Sequence, residues 1–163
     1  MKTSLFVKRS VIIAVALAAV IMPTFALSST GTLSLSGSVA AITTITVTPD
    51  ANASALPVGV ATTNLKIATV VELSNSKAGY TVTLSSANGG ALMETSGTDS
   101  QAYTLTYGSN PVTFTSGTAT LTSSSTRSAT AAGSTNILYI SFPASFLNAD
   151  TYTDSLTFTI TSP

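Results

Sequence analysis

The feature that most constrains this chain is a run of strict alternation near its end. In residues 152–161, Leu156, Phe158 and Ile160 alternate with Ser155, Thr157, Thr159 and Thr161. A period of two puts apolar side chains on one face and hydroxyls on the other, the mark of a half-buried β-strand. Threonine is β-branched and suits a pleated backbone better than a helix. The same grammar recurs upstream. Tyr80, Val82 and Leu84 alternate with Thr81, Thr83 and Ser85, and Tyr103, Leu105 and Tyr107 mark another strand. Leu33, Leu35 and Val39 alternate with Ser34, Ser36 and Ser38, with Gly37 interrupting the apolar face. Ile45 and Val47 continue the pattern, while Ile42 is out of phase and predicts a bulge or bend near Thr43-Thr44. The dense apolar stretch 65–73 reads as strand because Thr69, Val70 and Val71 are β-branched. Residues 112–114 and 119–121 read as short strands. Residues 137–142 are apolar on both faces, which places them centrally in a sheet.

Turn signals punctuate these runs. They fall at Pro49–Ser54, Asn75–Gly79, Asn88-Gly89-Gly90, Gly108–Pro111 and Pro143–Asp150. Residues 93–100 read as a loop, and the Ser/Thr/Ala-rich stretch 123–135 as a mobile surface loop. No long helix is indicated after residue 27. Eight or nine short strands with frequent turns predict an all-β, immunoglobulin-like antiparallel β-sandwich. Asp150-Thr151-Tyr152, directly before the last strand, resembles a tyrosine corner, in which a Tyr hydroxyl bonds back to the upstream backbone. An ordinary core tyrosine is the alternative.

The N-terminus has a different composition. Lys2, Lys8 and Arg9 precede an apolar run over residues 11–22, followed by Pro23-Thr24-Phe25-Ala26. A basic region, an apolar region and a small residue at a cut point make a secretory signal, cleaved after Ala26. The alternative is an uncleaved membrane anchor, but the apolar run is shorter than the roughly 20 residues that span a bilayer. Residues 1–26 are thus expected to be a signal peptide, and 27–163 a single secreted β-sandwich domain with no membrane segment. It would reside in the periplasm, at the cell surface or outside the cell.

Beyond residue 26 the bases are Lys66, Lys77 and Arg127. The acids are Asp50, Glu72, Glu94, Asp99, Asp150 and Asp154, leaving a net charge of −3. Without a basic patch, nucleic acid is not an expected partner. The chain has no His and no Cys. The commonest general base and metal ligand is therefore missing, and no disulfide can brace the fold.

Several motifs invite a chemical reading and do not sustain it. Ser74-Asn-Ser-Lys77 matches the Ser-x-x-Lys nucleophile pattern. That chemistry needs the serine at a helix start, whereas Ala78-Gly79 and a strand follow. Asp50-Ala-Asn52-Ala-Ser54 begins like a calcium loop, but Ala55 and Ala61 stand where Gly and Glu are required. An Asx-turn is the simpler reading. Asn52-Ala-Ser54 is also a formal glycosylation sequon. Asp150 with Asp154, or Glu94 with Asp99, would need about 5–10 Å between carboxylates in a cleft to hydrolyse a sugar. No cleft is indicated, and Asp154 is read as facing outward, opposite Leu156. The expectation is a non-enzyme with no cofactor, no metal and no small-molecule substrate.

Three segments carry a resemblance. They are Leu35-Ser-Gly-Ser-Val39 leading to Ile45-Thr-Val-Thr-Pro49, Asn75-Ser-Lys-Ala-Gly-Tyr-Thr-Val-Thr-Leu84, and Asp150-Thr-Tyr-Thr-Asp-Ser-Leu-Thr-Phe-Thr-Ile160. Together they resemble secreted bacterial fimbrial subunits, in particular the spore coat protein U-like domain and pilins assembled by alternate chaperones. Spore coat U-like domains often carry cysteines, and this chain departs from them there. The resemblance implies an immunoglobulin-like subunit whose groove is filled first by a periplasmic chaperone, then by the N-terminal extension of a like subunit. The donor extension would lie within residues 27–39, and Leu33, Leu35, Gly37 and Val39 would belong to its strand. Tyr152, Leu156, Phe158 and Ile160 would belong to the acceptor groove on the last strand. The implied function is a structural or adhesive surface protein. The alternative is a monomeric secreted module that binds glycan or cell-wall polymer, with residues 32–39 as the first strand of a complete sandwich.

Overall fold

Alternation becomes strand pairing over most of residues 43–161 in the computed structural model, which describes residues 27–163. The signal segment read in residues 1–26 lies outside the described residues. Among the described residues eleven strands form: β1 (Thr43–Pro49), β2 (Thr62–Ser74), β3 (Tyr80–Ser86), β4 (Ala91–Glu94), β5 (Ser100–Ala102), β6 (Thr104–Tyr107), β7 (Asn110–Val112), β8 (Thr118–Ser124), β9 (Ser134–Phe142), β10 (Tyr152–Thr153) and β11 (Leu156–Thr161). One 3₁₀ turn, Ala51–Ser54, follows β1. Every strand pairing is antiparallel. A five-stranded sheet has the order β1-β2-β9-β6-β7. Two three-stranded sheets have the orders β11-β3-β8 and β10-β4-β5.

The result is an all-β sandwich whose core is made by inward-facing residues of facing sheets. Val70, Leu105, Leu138 and Ile140 come from the five-stranded sheet, Leu84 from β3 and Leu92 from β4. As its two apolar faces require, β9 is central, flanked by β2 and β6. The far edge of that sheet is β7, a three-residue strand with Pro111 at its middle. The turn between β2 and β3 depends on Gly79. Its φ is +91°, and a Cβ there would collide with the carbonyl of Ser124, so no other residue fits.

One polar residue crosses the sandwich. Glu72, on β2, is fully buried. Its carboxylate accepts from the Tyr80 hydroxyl at 3.3 Å, the Thr122 hydroxyl at 2.8 Å and the Tyr107 hydroxyl. Tyr107 belongs to its own sheet, whereas Tyr80 and Thr122 belong to β3 and β8 opposite. A buried carboxylate is tolerable only when its lone pairs are occupied, and these hydroxyls occupy them.

The structure departs from the sequence reading in several places. The strand count is eleven rather than eight or nine. Residues 93–100 are not simply a loop, because β4 and β5 form a hairpin there with Leu92 opposite Gln101. The stretch 123–135 is only partly a surface loop. Strand β8 runs to Ser124, and Ser128 is buried against Ser74, donating from its N–H to the Ser74 carbonyl at 2.8 Å. The bulge predicted near Thr43-Thr44 is absent. Pairing runs unbroken from Thr43 opposite Ser74 to Pro49 opposite Ala68, and the strand starts just after Ile42. Register shifts lie instead in the β2–β9 pairing, near Asn64, whose φ is +49°, and in the β3–β8 pairing between Val82 and Thr83. Residues 32–39 alternate but form no strand. Alternation fixes which face a residue would take, and a strand exists only where a partner supplies the ladder.

A groove between two unpaired strand edges

Strand β1 pairs only with β2, and β11 only with β3, so each leaves one edge without a ladder partner among the described residues. These two edges face each other. At one end they are joined by hydroxyls. Thr43 Oγ1 donates to Ser162 Oγ at 2.9 Å, and Ser162 Oγ lies 2.8 Å from Ser74 Oγ. Away from this clasp the edges part around a groove of about 400 Å³. Val47 and Pro49 line the β1 wall, and Leu156 and Phe158 the β11 wall. Ile67, Leu138 and Ile140 form the floor, and Leu56 and Tyr152 lie toward the open end. The groove therefore reaches the hydrophobic core directly.

The last strand builds its wall by parity. Tyr152, Asp154, Leu156, Phe158 and Ile160 share one half-buried face, while Thr157, Thr159 and Thr161 are exposed. Of the predicted acceptor residues, Tyr152, Leu156 and Phe158 line the groove, and Ile160 shares their face outside the lining. Tyr152 also makes the tyrosine-corner bond: at the start of β10, its hydroxyl donates to the Asn148 carbonyl four residues upstream at 3.1 Å. The wall made by Val47, Pro49 and Leu56 was not signalled by the sequence, because it depends on pairing between distant segments.

Leu33, Leu35 and Val39 are 83%, 87% and 89% exposed and lie in no strand. No atom lies near the position that a Cβ on Gly37 would occupy. An alternating apolar segment fully open to water is uncommon in a folded chain, since such residues gain most from burial.

The outward placement of Asp154 is overturned. It stands two residues before Leu156, so both share a face. Its carboxylate accepts from Ser86 Oγ at 2.6 Å, the Asn88 N–H at 3.0 Å, the Ser155 N–H at 2.7 Å and the Tyr103 hydroxyl. Those bonds commit it to structure. Glu94, Asp99 and Asp150 organise the neighbouring loops in the same way. Glu94 accepts from the Asp99 N–H, Asp99 from the Asn148 N–H, and Asp150 from the Ser96 and Thr151 N–H groups. Asp50 caps the 3₁₀ turn and lies 3.4 Å from Lys66 Nζ. The Asn52 amide donates to the Lys66 carbonyl at 3.0 Å. Ser74 ends β2 ahead of a turn, not at a helix start. Among the described residues, no group of three or more acidic side chains is placed to hold a metal ion.

Two tyrosines make the site and core sensitive to alkali. Burial, reinforced by the bond to Asp154, pushes the Tyr103 hydroxyl well above the ordinary phenol value. Burial and the bond to Glu72 do the same to Tyr107. A pKa raised by folding gives stability that is fully present below the unfolded value, about 10, and is lost as pH rises above it. Denaturant midpoints should therefore hold up to about pH 9 and fall between about pH 10 and 12. A midpoint unchanged across that window would show that neither phenol is protected.

No protein-family model, no curated protein and no solved structure matches this chain.

Proposed function

We propose that the chain is a secreted structural or adhesive subunit of a fimbrium-type surface fibre, assembled by β-strand addition. The donor is the segment 32–39 of one copy, and the acceptor is the groove between β1 and β11 of the next. One combination carries this reading. An apolar groove between two unpaired strand edges occurs in a chain whose own alternating segment, Leu33 to Val39, forms no strand. A donor strand would satisfy backbone groups along both edges and set alternate side chains into the groove. Each aliphatic side chain transferred from water to such a floor contributes about 1.5–3 kcal/mol.

The same chemistry motivates a chaperone. Unpaired edges beside an apolar groove invite uncontrolled pairing. A periplasmic partner that lends a strand would hold the subunit soluble until a like subunit displaces it. The hydroxyl-rich, nearly uncharged exterior suits close packing of subunits or contact with a cell-wall matrix.

A synthetic peptide of residues 31–40 tests the reading. Added in excess to the chain from Leu27 onward, it should cap growing assemblies at short oligomers and raise the melting temperature. A scrambled peptide should do neither. Electron microscopy should show fibres without peptide and few with it. A chain that stays monomeric at every concentration and ignores the peptide would sink the proposal.

A further inference from the structure

A subunit that carries both a donor segment and an acceptor groove faces a competition within itself. A donor on a short tether has an effective concentration in the millimolar range if geometry allows it to reach its own groove. At micromolar subunit concentrations, self-insertion would win by about 10²–10³ and no fibre would grow. The route is short. A hairpin turn at residues 40–42 would lay residues 32–38 antiparallel beside β1, bringing Leu33 and Leu35 level with Pro49 and Val47.

Resting on the strand-addition reading, we infer that Asn75 decides this competition in favour of insertion between chains, by preventing a turn at residues 40–42. Three hydrogen bonds run from this one residue to the root of the extension. The Asn75 N–H donates to the Ile42 carbonyl at 3.0 Å. Its Oδ1 accepts from the Ile42 N–H at 2.7 Å. Its Nδ2 donates to the Ala40 carbonyl at 2.8 Å. The β1–β2 ladder ends at Thr43 opposite Ser74, so Asn75 is the next rung, and its side chain supplies a further one. Residues 40 and 42 are thereby bonded on the β2 side, as a continuing strand is, where a hairpin needs them turned.

Moving the turn upstream does not restore self-insertion. The next turn-competent pair is Gly37-Ser38. A hairpin there would set Leu35 opposite Ala40 and Leu33 opposite Ile42, beyond the start of β1 and outside the groove. The hydroxyl clasp of Thr43, Ser162 and Ser74 closes that end as well. Asn75 is thus a positioning residue for the extension and touches no groove residue.

The absence of cysteine from the chain makes the test direct. Leu35→Cys, and in a second chain Leu33→Cys, is combined with Phe158→Cys under mild oxidation. With Asn75 intact, disulfides should join chains into a ladder on a non-reducing gel. With Asn75→Ala added, the share of disulfides within one chain should rise about tenfold at the same protein concentration. Asn75→Asp keeps the acceptor for Ile42 and loses the donor to Ala40. It should give an intermediate share, and it carries the test if the alanine variant does not fold. The same ladder in all three backgrounds overturns the role of Asn75 and leaves strand addition standing. No disulfide in any background overturns the groove reading, and the role of Asn75 with it.

Discussion

Leu35→Asp should abolish assembly while leaving the folded subunit as stable as the parent. The side chain is 87% exposed and belongs to no strand, so its loss removes nothing from the core. Surface changes of this kind alter stability by at most about 0.5 kcal/mol. Assembly is another matter. The substitution forfeits about 2–3 kcal/mol of aliphatic burial and places a carboxylate over an apolar floor with no cation to receive it. A loss of 4 kcal/mol or more weakens association by about 10³-fold. Sedimentation should show monomer where the parent forms fibres, with superimposable unfolding curves. Persistence of fibres would exclude residues 32–39 as the donor. A drop in subunit stability would instead support a monomeric sandwich that uses this segment as its first strand.

Glu72→Ala should be the most damaging single change in the interior. It removes the acceptor shared by Tyr80, Tyr107 and Thr122, leaving two buried phenol hydroxyls and one half-buried hydroxyl without it. Each buried donor left unsatisfied costs about 1–3 kcal/mol, so a total near 3–5 kcal/mol is expected. Against a typical domain stability of about 5–15 kcal/mol, that is a large fraction. Glu72→Gln keeps an acceptor and should cost roughly half as much. Equilibrium denaturation of the pair measures the difference. A loss below about 1 kcal/mol for the alanine variant would mean that water replaces the carboxylate without penalty.

Much of this architecture was legible because alternation reports directly on burial. Strands β3, β6 and β11 follow from residues such as Val82, Leu105 and Phe158, and the central place of β9 follows from its two apolar faces. The β4–β5 hairpin was hidden, because strands of three and four residues with Leu92 as their one buried hydrophobic residue carry too little periodicity to register. Glu72 looked like one more charge. Its parity with Ala68, Val70 and Ser74 was the available signal, since that face is the buried one. Parity would also have put Asp154 inside, in step with Leu156. Half of the groove could be read from the last strand. The other half could not, because Thr43 and Ser162 meet across 119 residues of sequence, and no local pattern encodes such a meeting.

The short strand β7 has a consequence for the shape of anything this protein builds. Proline lacks an N–H and is disfavoured where a sheet must accept another strand. With Pro111 in the middle of three residues, that margin is a poor template, while β1 at the opposite margin is seven residues long. The five-stranded sheet therefore has a valence of one. Subunits joined through it would form an unbranched thread with a fixed polarity, and a branched mesh would require contacts elsewhere on the molecule.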